Sequence, residues 1–154
     1  MENIIEERNI VIKSSVETWK EAIEYSSKPL LENGFIKASY IDAILENTKK
    51  NGPYYVLAPE IAMPHASPLA GVIKQQISLL VLKEPIKFSE DGFQVRLVFT
   101  LAATDNESHL NSLKRLSKVF SNEALINKII QAESEKEVFN LLHNIEEEEL
   151  WTHF

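Results

Sequence analysis

A single α/β domain, built on a mixed sheet with helices on both faces, is predicted by three features of the sequence. Apolar runs of strand length, QISLLVL (76–82) and FQVRLVFTLAA (93–103), share the chain with stretches whose apolar residues recur at helical spacing. Those runs are apolar at nearly every position, as strands covered on both faces are. The connection from 82 to 93 is too short for a helical crossover, so these two strands pair antiparallel and the sheet is mixed.

Each element has its own signal. Residues 1–8 are polar and acidic, a frayed start or short helix, and NIVIK (9–13) alternates like a strand. Ser14 with Glu17 reads as a capping box before a helix carrying Trp19, Ala22, Ile23 and Leu30. Pro29 predicts a kink or break in it, and Asn33-Gly34 its end. Ser39 with Asp42 opens a second helix with Ile41, Ile44 and Leu45 on its apolar side, stopped by Asn51-Gly52-Pro53. YYVL (54–57) is a short strand, and APEIAMPHASPLAGV (58–72) a loop. After QISLLVL, the stretch EPIKFSEDG (84–92) is an extended piece and a turn before the second buried strand. Leu110, Leu113, Leu116, Val119 and Phe120 mark one amphipathic helix, and Leu125, Ile126, Ile129 and Ile130 the next. Ser134 with Glu137 caps a last helix bearing Val138, Leu141, Leu142 and Ile145. The tail EEEELWTHF is acidic, then aromatic, and Trp151 with Phe154 would pack on the body or on a second copy of the chain, which leaves a homodimer open.

Composition narrows the chemistry. The 154 residues, 44% hydrophobic and 25% charged, suit one domain spanning 1–154 with a core over about 9–146. No stretch approaches the ~20 apolar residues of a membrane span, and the acidic start is not a secretory signal. The absence of cysteine excludes disulfides, thiolate catalysis and cysteine-ligated zinc, and it suits a cytoplasmic setting. A net charge of −7 disfavours nucleic acid and favours encounter with a basic protein surface.

No phosphate loop, dinucleotide fingerprint, serine elbow, zinc-protease motif or calcium loop is present. Four histidines remain. His65 follows Pro64 among the small residues Ala62, Ala66, Ala70 and Gly71, which let a bulky group approach the ring. His109 stands near the start of a helix, where free N–H groups attract anions and keep an imidazole neutral. Each histidine follows a strand end, where α/β proteins collect active-site residues. His143 and His153 read as structural or solvated. A zinc site would need Asp105 or Glu107 as third ligand, and nothing in the spacing demands it.

The stretch NGPYYVLAPEIAMPHASPLAGV resembles the active-site segment of enzyme IIA of the mannitol–fructose phosphotransferase superfamily, nearest to its ascorbate-specific branch. The shared features are Gly52-Pro53-Tyr54, Ala58-Pro59, Ala62-Met63-Pro64-His65 and Gly71-Val72. SVETWKEAI with Trp19, KEPIKF (83–88) and the AATD-x-x-x-H ending at His109 are also similar, so the likeness runs from about 10 to 145. The resemblance implies that His65 takes a phosphoryl group from the carrier HPr and passes it to a cysteine of enzyme IIB, which serves a membrane IIC component. It implies that His109 steadies the phosphoryl group, that no metal or cofactor takes part, and that the sugar is ascorbate-like. Backbone amides near Ala66 and Ser67 would add donors, and Ile61, Met63, Leu69 and Val72 would frame the ring and exclude water. The family usually has glycine where Ala66 stands, and its mannitol–fructose members carry a basic residue on the preceding helix, in the region of Lys49 and Lys50. Three other readings are a phosphorylation-dependent regulator of the nitrogen type, a module of a transcriptional activator, and a hydrolase using a His65–His109 pair.

Overall fold

The computed structural model describes residues 5–152, and side chains as far as Asn144. Ile145, Trp151, His153 and Phe154, with the tail packing expected of Trp151 and Phe154, lie outside the described side chains. Among the described residues five strands form one sheet: β1 (Ile10–Lys13), β2 (Val56–Ala58), β3 (Glu60–Ala62), β4 (Gln76–Lys87) and β5 (Gln94–Ala102), in the order β1-β4-β5-β3-β2. β1 runs parallel to β4 and β3 to β5, while β4–β5 and β2–β3 are antiparallel. The mixed sheet is thus as expected. The helices are α1 (Trp19–Glu32), α2 (Ala38–Asn51), α3 (Asn106–Phe120), α4 (Glu123–Gln131) and α5 (Glu135–Thr152). Among the described residues no helix is long and apolar enough to cross a membrane.

The period of two in the strands sorts the core into two halves. Ile77, Leu79 and Val81 of β4, with Leu97, Phe99 and Leu101 of β5, pack under α3, α4 and α5. Leu80 and Leu82, with Val98 and Ala102, face α1 and α2. Each fully buried large apolar side chain contributes roughly 1.5–3 kcal/mol. These two clusters, rather than helix propensity, therefore hold the helices in place. Small hydroxyl residues bring α1 close to the sheet. Ser26 donates to the Val98 carbonyl (2.8 Å) and so accepts from Thr100 (2.8 Å), while Ser78 donates to the Ser26 carbonyl.

Local differences from the sequence reading have local causes. The cap of α1 is Thr18, whose Oγ1 accepts from Glu21 N–H at 3.2 Å, not Ser14. Thr18→Ala should cost about 1 kcal/mol and Ser14→Ala less than about 0.5 kcal/mol, read from urea midpoints. Pro29 does not break α1, because it sits in the last turn, where the lost bond to Tyr25 is offset by closing bonds. Phe35 N–H reaches the Leu30 carbonyl (2.8 Å) and Gly34 N–H the Leu31 carbonyl (3.3 Å), a Schellman ending that needs the positive φ of Gly34 (80°).

Two differences bear on the site. Ser39 does not cap α2; its hydroxyl donates to the Ala70 carbonyl at 2.7 Å, while Lys37 N–H donates to the Gly71 carbonyl at 2.8 Å. The start of α2 is thereby tied to the loop after His65. A Cβ on Gly71 would lie 2.6 Å from Ser39 Oγ, so only glycine allows that approach. The stretch EIA, expected as loop, is the strand β3. Three residues are too few to show periodicity, and a tight turn at Glu60 (φ 74°), held by an ion pair to Arg96, turns the chain back from β2. EPIK likewise belongs to β4, joined across an irregularity between Val81 and Ile86.

Candidate active site

β3 and β5 are parallel neighbours, so their C-terminal ends open on the same edge of the sheet. Leu101 N–H donates to the Pro64 carbonyl at 3.0 Å, which extends the pairing past β3 and delivers His65 beside the end of β5. β5 then turns into α3 through a capping box. Asp105 Oδ1 accepts from Ser108 N–H (2.8 Å), and Ser108 Oγ accepts from Asp105 N–H (3.1 Å). These bonds hold the Asp105 carboxyl below its usual range. They also set His109, in the first turn of α3, against His65, with ring centroids 5.1 Å apart.

The His65 ring has a defined tautomer. Nδ1 lies 2.9 Å from the Met63 carbonyl, which can only accept, so Nδ1 carries the proton and Nε2 keeps its lone pair. Tyr54 meets the ring edge-on at 5.4 Å and donates its hydroxyl to the His65 carbonyl at 2.5 Å. Ala66 N–H donates to the hydroxyl of the buried Tyr40 at 3.1 Å, and Tyr40 donates to the Leu101 carbonyl at 2.6 Å. Burial pushes the Tyr40 phenol up to about 12, so it stays protonated as this donor. An open cavity of about 270 Å³ lies over the histidines, with Asn47, Tyr54, Ser67 and Asn106 on its walls. The space is large enough for a tetrahedral anion, and the first turn of α3 contributes a helix N-terminus to it.

His109 is held below the ordinary 6.5, first by partial burial and then by the proximity of His65. The sign is that of a base stored neutral. The stability gained from its neutral ring is present above 6.5 and falls away as pH drops through the lowered value. A proton NMR titration of the His109 ring should give a midpoint below 6.5, moving upward in His65→Ala.

The residues singled out from sequence separate here. His65, His109, Ala66 and Ser67 meet at the cavity. The Ala66 amide is taken by Tyr40, and Ser67 Oγ accepts from Leu69 N–H at 3.3 Å. Ala66 has no positive φ, so its methyl brings no left-handed backbone strain. Lys49 and Lys50 are exposed in the last turn of α2, and the α2 residue on the cavity wall is Asn47. Ile61 and Met63 are buried under α3 to α5, and Leu69 is 97% exposed, so none of the three frames the ring as expected. His143 stacks on Phe139 within α5. Sequence reasoning missed Tyr40, Asn47 and Asn106 and met Tyr54 only inside a motif. The signal for Tyr40 was its place in a buried i, i+4 row with Ile44 and Thr48.

Residues 3–145 match the family described as the phosphoenolpyruvate-dependent sugar phosphotransferase system, EIIA 2. The chain belongs to this family. The mannitol-specific cryptic phosphotransferase enzyme IIA component of Escherichia coli K12 is 36% identical over 136 residues, covering 88% of this chain and 92% of that protein. The ascorbate-specific EIIA component of the same strain is 32% identical over 143 residues, covering 92% and 93%. Among solved structures, the Escherichia coli complex of enzyme IIA for mannitol with phosphorylated enzyme IIB contains a chain of the same fold. That chain gives a TM-score of 0.78 at 27% identity, with 89% of this chain and 95% of that one covered. The EIIA component described here is accordingly a phosphotransferase of the sugar phosphotransferase system. The mannitol-specific relative is the more similar of the two, so ascorbate is one of several sugars the likeness allows.

Proposed function

We propose that this EIIA component takes a phosphoryl group onto His65 Nε2 from histidine-phosphorylated HPr and passes it to a cysteine of an enzyme IIB. The observation that carries this reading is the Nδ1–H bond of His65 to Met63, which leaves Nε2 as nucleophile 5.1 Å, ring to ring, from His109. In the first transfer, the N–P bond of the donor breaks with its electron pair returning to the donor nitrogen, while His65 Nε2 bonds to phosphorus. The second transfer repeats this with a sulfur acceptor and restores the lone pair on His65.

The transition state is loose and spreads charge over three equatorial oxygens, so the protein mainly aligns and stabilises. In this scheme a neutral His109 donates N–H to one oxygen, and Ser67 and Asn106, which line the same cavity, supply donors to others. Asn47, not Lys49, stands on the α2 side of the cavity. This scheme needs no metal or cofactor, because those donors meet the charge. The IIB partner is supported by the related IIA for mannitol, solved in complex with phosphorylated IIB. The reading places the protein in the cytoplasm with HPr, feeding a membrane IIC component through IIB during sugar uptake.

The test is incubation with enzyme I, HPr and labelled phosphoenolpyruvate. One acid-labile, base-stable phosphate per chain is expected. No label, with active controls, would remove this reading.

A further inference from the structure

The peptide unit that joins His65 to Ala66 is held at both ends by tyrosine hydroxyls. Its carbonyl accepts from Tyr54 at 2.5 Å, and its N–H donates to Tyr40 at 3.1 Å. The two tyrosines reach it from opposite sides. Tyr40 is 1% exposed at the start of α2, and Tyr54, 42% exposed, follows the end of that helix at the mouth of the cavity. Tyr40 donates its own O–H to the Leu101 carbonyl of β5, the strand that leads to His109. Both O–H donors are therefore committed to backbone carbonyls, and neither is left for a phosphoryl oxygen.

A peptide held at one end only can pivot about the remaining bond, whereas one held at both ends has its plane set. That plane, together with the preceding peptide, whose Pro64 carbonyl is held by Leu101 N–H, sets where the His65 Cα–Cβ bond points, and the Nδ1–H bond to Met63 then orients the ring. We infer that Tyr40 and Tyr54 act together as positioning residues, gripping one peptide unit so that His65 Nε2 is aimed at the space beside His109. This inference rests on the phosphocarrier reading and adds the part that orients its nucleophile.

Two independent structural tyrosines would behave differently from a clamp, because only a clamp couples them. The variants are Tyr40→Phe, Tyr54→Phe and the double, with Tyr55→Phe as control, whose hydroxyl meets Thr48 at 2.8 Å instead. The first readout is the 15N spectrum of the His65 ring in unphosphorylated protein, which needs no phosphoryl donor. The parent should show the Nδ1–H tautomer, and both Tyr40→Phe and Tyr54→Phe a mixture. The second is phosphoryl uptake from phospho-HPr. Each single variant should lower kcat about three- to tenfold, the range of one neutral hydrogen bond, with KM unchanged.

The double variant should lose no more than the larger single effect, and Tyr55→Phe should match the parent. Parent-like spectra and rates in both single variants, a multiplicative double variant, or an equal loss in Tyr55→Phe would each overturn the clamp. A parent that takes no phosphate, yet shows the expected ring shifts in the variants, would sink the phosphocarrier reading and leave the clamp standing.

Discussion

His65→Ala should abolish phosphoryl acceptance completely while the far-UV circular dichroism stays that of the parent. The side chain is only half-buried and contributes one hydrogen bond to Met63, so its loss should cost about 1 kcal/mol of stability. Acceptance, by contrast, has no substitute route. The chain has no cysteine, and the other histidine at the cavity, His109, is assigned to hold the phosphoryl group rather than to accept it. The measurement is labelling by phospho-HPr beside a thermal melt of the same sample. Retained stoichiometric label in His65→Ala would exclude His65 as the acceptor.

His109→Ala should separate the two halves of the reaction. The variant should still take up one phosphate per chain, because Nε2 of His65 keeps its lone pair through a bond that does not involve His109. Onward transfer to IIB should slow by about 10²–10³, roughly 2.7–4 kcal/mol, the loss typical of one donor to a developing oxyanion charge. Rapid-quench kinetics from the phosphorylated protein would measure it. Equal loss of labelling in His65→Ala and His109→Ala would mean that His109 has been given the wrong role.

Much of this was legible in the residues. The two continuous apolar runs predicted two central strands, and the short link between them predicted their antiparallel pairing, which β4 and β5 have. The helices from Leu110 onward follow their apolar rows, and Ser134 caps Glu137 N–H at 3.1 Å as its spacing suggested. The Pro-His loop and the later histidine carried the family likeness, and residues 3–145 match that family. What failed to read was short or ambiguous. Ser14 and Thr18 both precede a glutamate by three residues, and only Thr18 has its oxygen at the first turn of α1. Lys49 and Lys50 have the charge a phosphoryl group would attract, but the turn of α2 brings Asn47 to the cavity and leaves both lysines in solvent.

Local chemistry thus determined the fold class and the helix stretches and pointed to His65 as the proposed nucleophile, since periodicity, capping signals and motif act over neighbours in sequence. Tertiary structure alone decided that β3 lies parallel to β5, and so that two histidines 44 positions apart in number meet ring to ring. It also decided which hydroxyls hold the His65–Ala66 peptide, because Tyr40 and Tyr54 reach it only when α2 is packed on the sheet. The reason is physical. Hydrogen bonds and ring contacts between distant segments depend on strand order and helix placement, which are set by burying both faces of the sheet at once.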